Sequence, residues 1–437
     1  MNERIQNYTE KLSKMIKYET VWTKDSYKEK FKGFQDEVLK KNFPNVFGKC
    51  DVEIFDGSLL IRWKGKSEKD PILFMNHQDV VPAKGDWTYP PFSATIADGK
   101  MWGRGTLDTK SGLFAMLEAA DELIEEGFVP NQDVYFESAC NEEIDGRGCD
   151  AISEELLKRG IKFKFSLDEG GMILYEPVKG AKAKYAMVGL AERGRAEIKL
   201  VARSNGGHAS TPPSDTPLVR LGKMMAYIDD HNIFEVEVAP TIIEMLKRLS
   251  VSMTGPLAKV YGNADKFKPL LKKVMPKIPT TRALVETTIA FTQASGSEAP
   301  NVLPQTAYVI CDMRTSIHEG YAHSLRALEE VAKKFDVEVE TVIPPVESNV
   351  ADFNGEGFKL AEKAIEEVYK GEVKTAPYYM NQCSDSRYIS RVCDNCLRFT
   401  PFIIDAKQMG TIHGIDENID IDNLDKSVDF YKYMMKA

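Results

Sequence analysis

The chain has 437 residues, above the roughly 250–300 at which a single core stops growing, so two domains are expected. With 43% hydrophobic and 28% charged residues it is neither disordered nor fibrous, and a formal net charge of -9 disfavours nucleic acid or an anionic membrane surface as partner. No apolar run of about 18 residues occurs, the start Met1-Asn2-Glu3-Arg4 is charged rather than leader-like, and seven cysteines, an odd number, suit a reducing compartment, so the expectation is a cytoplasmic enzyme for a small molecule.

The first forty residues show helical periodicity, with Ile5, Leu12, Met15 and Ile16 on one face and a second charged helix over 26–40. Strands are predicted over 52–55, 59–63 and 72–75, the last an apolar run suited to burial on both faces, with His77 just beyond it. A helix over 110–126 spaces Leu113, Met116, Leu117, Ala120 and Leu123 by three and four, and Gly127 stops it. A strand over 134–138, a helix over 149–159 and a strand over 163–167 continue the alternation, which indicates βαβ units and a mostly parallel sheet. Ligands of such sheets collect at the carboxyl ends of the strands. His77, Asn141-Glu142-Glu143 and Asp168-Glu169 each follow a buried strand.

From Val188 the texture changes. Alternation over 197–202, helices over 218–229, 241–251 and 266–274, strands over 283–291 and 306–313, a helix over 320–335 and a strand over 337–342 make a second α/β unit, and Pro344-Pro345 marks its exit. A helix over 357–369, strands near Lys374 and over 397–400, and a final helix over 422–435 then rejoin the first unit. The expected division is 1–187 and 346–437 for the catalytic domain and 188–345 for an insertion.

The chemistry is carried by a few polar residues at element ends. In Asn76-His77-Gln78-Asp79 two polar side chains two residues apart share one side of an extended stretch, and a carboxylate there can orient a metal-bound imidazole. Asp108, in Gly103-Arg104-Gly105-Thr106-Leu107-Asp108, precedes a helix; it is either an N-cap or the carboxylate that bridges two cations about 3.5–4 Å apart. Glu142 and Glu143 point to opposite sides, so one can ligate a metal while the other works on activated water. Asp168 ends a strand before Gly170-Gly171, and His413 stands between Gly410 and Gly414. Each alone has an ordinary structural explanation. Two imidazoles and three carboxylates together form a nitrogen and oxygen set suited to zinc or a similar divalent ion. No G-x-S-x-G, H-E-x-x-H or G-x-x-x-x-G-K-[ST] string is present. Cys393-Asp394-Asn395-Cys396 lacks a second pair or a thioredoxin-like setting and reads as two ordinary thiols.

With His77-x-Asp79, Asp108, Glu142-Glu143, Asp168 and His413 in this order, the chain resembles the co-catalytic dinuclear zinc carboxypeptidase and aminoacylase family, which includes glutamate carboxypeptidase, acetylornithine deacetylase, succinyl-diaminopimelate desuccinylase and aminoacylase. The resemblance runs from about residue 50 to the end. It implies a zinc-peptidase-like α/β fold, a mostly parallel sheet flanked by helices, with an inserted α+β, ferredoxin-like lid that commonly mediates dimers. It implies His77 and Asp168 on one zinc, Glu143 and His413 on the other, Asp108 bridging, Glu142 as general base and Asp79 orienting the site, with cobalt or manganese as other possible metals. In Gly206-Gly207-His208-Ala209 the family's histidine would stabilise the oxyanion, often from the second subunit. Asn301 and Arg314 match positions that contact substrate in the family, the Arg314 guanidinium at the substrate's carboxylate.

One stretch departs from the family. Its late Gly-Gly-Thr-Asp loop reads Gln382-Cys383-Ser384-Asp385-Ser386-Arg387 here, which is closer to the Gly-X carboxypeptidase and N-acyl-amino-acid hydrolase branch and makes Ser384 and Arg387 substrate-binding candidates. The expected reaction is hydrolysis of the amide bond of a peptide or N-acyl amino acid with a free carboxylate, through water activated by two metals and Glu142. The rivals are a zinc aminopeptidase of the related clan, against which the inserted lid speaks, and a metal-free binding protein on the same fold.

Overall fold

The computed structural model describes residues 2–436. Its larger sheet has ten strands, and the central ones are apolar runs buried on both faces, as parallel strands must be when helices cover them. Ile72–Met75 lies between Val134–Ser138 and Phe165–Asp168 and runs parallel to both, and Cys396–Arg398 continues the parallel set beside Phe165–Asp168. The edge strands Asp51–Phe55 and Ser58–Trp63 form an antiparallel hairpin. This sheet and its helices agree with the α/β class read from the sequence.

Helices cover both faces. On one, Glu3–Lys17, Lys110–Glu125, Glu356–Tyr369 and Asn423–Met435 send Leu12, Met15, Leu113, Leu117, Phe358, Ile365, Leu424 and Tyr431 onto Ile72, Phe74, Phe136 and Leu167. On the other, Arg147–Lys158 brings Cys149, Ile152 and Leu156 against Leu60, Leu73, Met75 and Tyr135. The alternation of Leu73 and Phe74 between two clusters is the period of two in a strand.

A second, four-stranded sheet is antiparallel throughout, in the order Thr288–Ser295, Thr306–Thr315, Gly194–Arg203, Glu338–Ile343. Helices Pro217–Asp230 and Gly320–Lys334 cover one face with Leu221, Met224, Leu328 and Val331 over Ile198, Leu200, Val309 and Met313. In chain order this is strand, helix, two strands, helix, strand, the ferredoxin-like arrangement.

Two features differ from the sequence reading. The strand Lys184–Glu192, which the change of texture at 188 conceals, belongs to the large sheet and pairs with Val373–Met380 in parallel, so the chain leaves that sheet only after Glu192. The helices over 240–282, although they lie between strands of the small sheet in sequence, do not pack on it. Ile242, Met245, Leu246 and Leu249 of Pro240–Ser250 cluster with Tyr185, Met187, Ala191, Ala376 and Tyr379 of the large sheet. All seven cysteines are free, Cys393 and Cys396 included, and no helix among the described residues is long and apolar enough to cross a membrane.

Candidate metal centre

Three strands of the central parallel set, Ile72–Met75, Val134–Ser138 and Phe165–Asp168, lead into acidic or imidazole side chains. His77 follows Ile72–Met75 by two residues, and its Nε2 lies 3.0 Å from Asp108 Oδ1. Its Nδ1 lies 3.0 Å from the Asp79 carbonyl oxygen and 3.4 Å from the Asp79 carboxylate, which fixes the ring plane. Asp79 itself is buried and accepts the backbone N–H groups of Glu142 and Glu143, each at 3.1 Å. One carboxylate thus pins the loop after Val134–Ser138 to the loop after Ile72–Met75, and the two adjacent acids are held in place by their own amides.

Asp108 sits where a glycine-containing loop enters helix Lys110–Glu125. The loop is shaped by Glu417, buried, which accepts N–H bonds from Leu107 at 2.7 Å, Asp108 at 3.2 Å and Gly105 at 3.2 Å while holding Arg104 at 2.6 Å. Asp108 Oδ2 lies 3.1 Å from His413 Nε2, and the same nitrogen lies 3.0 Å from Glu143 Oε2. His413 reaches this position with φ at 60°, in the left-handed region, where a non-glycine residue is held only by its surroundings. The Asp108 carboxylate therefore stands between two imidazoles, one at each oxygen.

The charges are strongly coupled. Burial would keep Asp108 neutral, but His413 and His77 outweigh it and pull its carboxyl below the usual range. Asp108 and Glu143 push His413 up to about 10, and His77 is raised because Asp108 and Asp79 outweigh its burial. Glu143 is raised by burial and then by Asp108, and burial pushes Glu142 up to about 8. Such a set binds positive charge, either protons between imidazole and carboxylate or a cation in their place. The donors fit a divalent metal. His77, Asp108 and Glu143 offer ligand atoms within 4.8 Å of one another, all are nitrogen or oxygen, and Glu143 Oε1 is buried without a hydrogen-bond partner.

Asp168 falls outside that tight group. It ends strand Phe165–Asp168, where Oδ1 accepts the Glu169 N–H at 2.8 Å and Oδ2 accepts the N–H and hydroxyl of Ser386 at 2.9 and 3.0 Å. Three bonds leave one lone-pair position of this carboxylate free. Ser386 and Glu417 thus shape the centre, and neither stood out in the sequence. Their roles come from contacts 218 and 310 positions away, which no local pattern records.

The remaining candidates are placed unevenly. Ser384 is buried and gives its N–H and hydroxyl to Glu192 Oε2 at 3.1 and 2.6 Å. Glu192 is also held by Arg398, so the Ser384 N–H and hydroxyl are both engaged in this buried brace. Arg387 is packed over the Tyr388 ring at 4.8 Å. Arg314, on the small sheet, donates to Asp312 at 2.7 Å and reaches Cys383 of the 382–387 loop at 3.6 Å, so it spans from one sheet's territory to the other's. His208 and Asn301 are exposed neighbours: His208 pairs with Val302, and the Ala209 N–H bonds the Asn301 carbonyl at 2.9 Å. Within one chain, His208 makes no hydrogen bond to the His77, Asp108, Glu143 cluster; its Nδ1 accepts the Ser210 N–H at 3.1 Å.

Comparison with known proteins gives a consistent result. The sequence profile of Peptidase family M20/M25/M40 matches residues 73–437. The probable carboxypeptidase S-like 2 of Dictyostelium discoideum is 32% identical over 428 residues, covering 94% of this chain and 80% of that protein. The human N-fatty-acyl-amino acid synthase/hydrolase PM20D1 is 29% identical over 405 residues, covering 90% and 80% respectively. Among solved structures, the M20 family metallo-carboxypeptidase Sso-CP2 from Sulfolobus solfataricus has a TM-score of 0.70 at 17% identity, with 100% of this chain and 99% of that one covered, which shows the shared fold.

Proposed function

Because the chain belongs to peptidase family M20/M25/M40, we propose that it is a two-metal hydrolase that cleaves the amide bond joining an acyl group or amino acid to a residue with a free carboxylate. The observation that supports this most is Asp108, with Oδ1 3.0 Å from His77 Nε2 and Oδ2 3.1 Å from His413 Nε2. A carboxylate so placed can give one oxygen to each of two cations. His77 and Asp168 would hold one and Glu143 and His413 the other, Asp168 through its free lone pair.

Two divalent cations, zinc or else cobalt or manganese, would polarise the scissile carbonyl and lower the pKa of water to about 7. Glu142 takes a proton from the attacking water and delivers it to the leaving nitrogen. Its burial suits it to that exchange near neutrality, and the Asp79 bond to its amide holds the side chain in register. Arg314, beside the 382–387 loop, offers a planar fork to the substrate carboxylate, with Arg387 and Asn301 as further candidates for substrate contact. His208 would donate to the developing oxyanion from a second subunit, the small sheet with its helices acting as lid and dimer contact.

Relatives named carboxypeptidase S-like and N-fatty-acyl-amino acid synthase/hydrolase support peptide and acyl-amino-acid substrates alike. A panel of N-acyl amino acids, dipeptides and their amidated forms, assayed on chelator-stripped protein with zinc, cobalt or manganese restored, tests the reading. The expected outcome is metal-dependent cleavage that requires the free carboxylate. Cleavage by the stripped protein, or preference for a free amino terminus irrespective of the carboxylate, would overturn it.

A further inference from the structure

A second cluster of ligand-type side chains lies apart from the residues assigned above. Strand Val134–Ser138 turns Tyr135 and Glu137 to one face, where the cross-strand neighbours of Glu137 are Leu60 and Met75. Leu60, Met75 and Tyr135 belong to the apolar cluster that also holds Cys149, Ile152 and Ile389. A carboxylate is out of place there unless something compensates its charge. Asp385, at the N-cap of the short helix Ser386–Ile389, and Cys149, in the first turn of Arg147–Lys158, meet Glu137 in that setting. Their ligand atoms all lie within 4.8 Å of one another and all three residues are buried. Glu137 Oε1 and both carboxylate oxygens of Asp385 have no hydrogen-bond partner among the described residues, and the one positive charge acting on Asp385 from nearby is the Arg387 guanidinium, which makes no hydrogen bond to it. The Cys149 thiol has only the Asp385 carbonyl, at 3.6 Å.

The geometry points to a further cation site, in which Glu137, Cys149 and Asp385 hold one thiophilic divalent ion of the zinc type. Two buried acids with unpartnered oxygens beside a sulfur are what a bound cation satisfies, and a thiolate ligand selects zinc or cobalt over magnesium or calcium. Burial favours the neutral forms of the Cys149 thiol and of the Glu137 and Asp385 carboxyls alike, so binding would release the protons these groups carry to solvent and leave sulfur and carboxylate oxygens bonded to the ion. The ion ties three segments together: the strand leading to Glu142 and Glu143, the helix after them, and the 382–387 loop whose Ser386 bonds Asp168. Its role is a brace beneath the catalytic centre.

The site is independent of the proposed reaction, and its test reads it separately. The full chain is stripped with chelator and reconstituted with cobalt(II). None of His77, Asp108, Glu143, Asp168 and His413 carries sulfur, so a near-ultraviolet thiolate-to-cobalt charge-transfer absorption reports a cysteine ligand. The expected result is that absorption in the native chain, its loss in Cys149→Ser, and one equivalent of cobalt fewer in Cys149→Ser and in the near-isosteric Asp385→Asn, by metal analysis of folded protein. A cobalt protein active on its substrate but without the absorption overturns this site and leaves the hydrolase reading standing. Equal metal content in all three proteins, or an absorption that survives Cys149→Ser, overturns it as well.

Discussion

At residue scale the centre depends on side chains that spend their hydrogen bonds on backbone. Asp79 holds the Glu142 and Glu143 amides, Glu417 holds those of Gly105, Leu107 and Asp108, and Asp168 accepts the Ser386 amide. Glu142→Gln keeps shape and removes the proton acceptor, so kcat should fall by about 10²–10⁴ with metal content unchanged, as read by steady-state kinetics and metal analysis. An unaltered kcat would remove Glu142 from the mechanism. Glu417→Ala leaves the Arg104 guanidinium, buried with it, without a counter-charge, and denaturant unfolding should register a loss of about 3–5 kcal/mol. His77, Glu143 and Asp168 were readable because each follows a buried strand, and Asp108 because it opens a helix. Glu417 was not. It stands in the sequence four residues after His413 like any loop acid, and only the folded chain brings it under the Asp108 loop.

At the scale of elements, hydrophobic periodicity carried further for helices than for strands. Lys110–Glu125, Glu356–Tyr369 and Gly320–Lys334 fall within a residue or two of their predicted spans, since each shows a stripe at three- and four-residue steps. Strand Lys184–Glu192 has no such signature, because it is buried along nearly its whole length and so does not alternate. Periodicity also gives the apolar face of Pro240–Ser250 without saying which sheet it covers. That helix buries Leu249 against the large sheet's partners, so Leu249→Ala should cost about 2–5 kcal/mol in denaturant unfolding; a cost near zero would mean the helix is not docked as described. Strand Thr306–Thr315 presents Arg314 toward Cys383. Arg314→Ala should raise KM for carboxylate-bearing substrates while metal content holds, and an unchanged KM would take Arg314 out of substrate binding.

At the scale of the whole molecule, the chain passes from the large sheet to the four-stranded one at Glu192 and Arg193 and leaves the four-stranded one toward Pro344 and Pro345. His208 is exposed on it, beside Asn301. If His208 serves a neighbouring subunit's centre, Glu142→Gln and His208→Ala, each weakened alone, should regain activity when unfolded and refolded together, because one of the two sites in a mixed dimer is then whole. No recovery on mixing would confine His208 to its own chain. The proposed bridging of two cations by Asp108 is the claim on which the proposed reaction rests. Anomalous diffraction from zinc in crystals of the full chain measures it most directly: two peaks are expected at the Asp108 carboxylate, one within bonding distance of His77 and the other of His413, whereas a single peak there, or none, would contradict it.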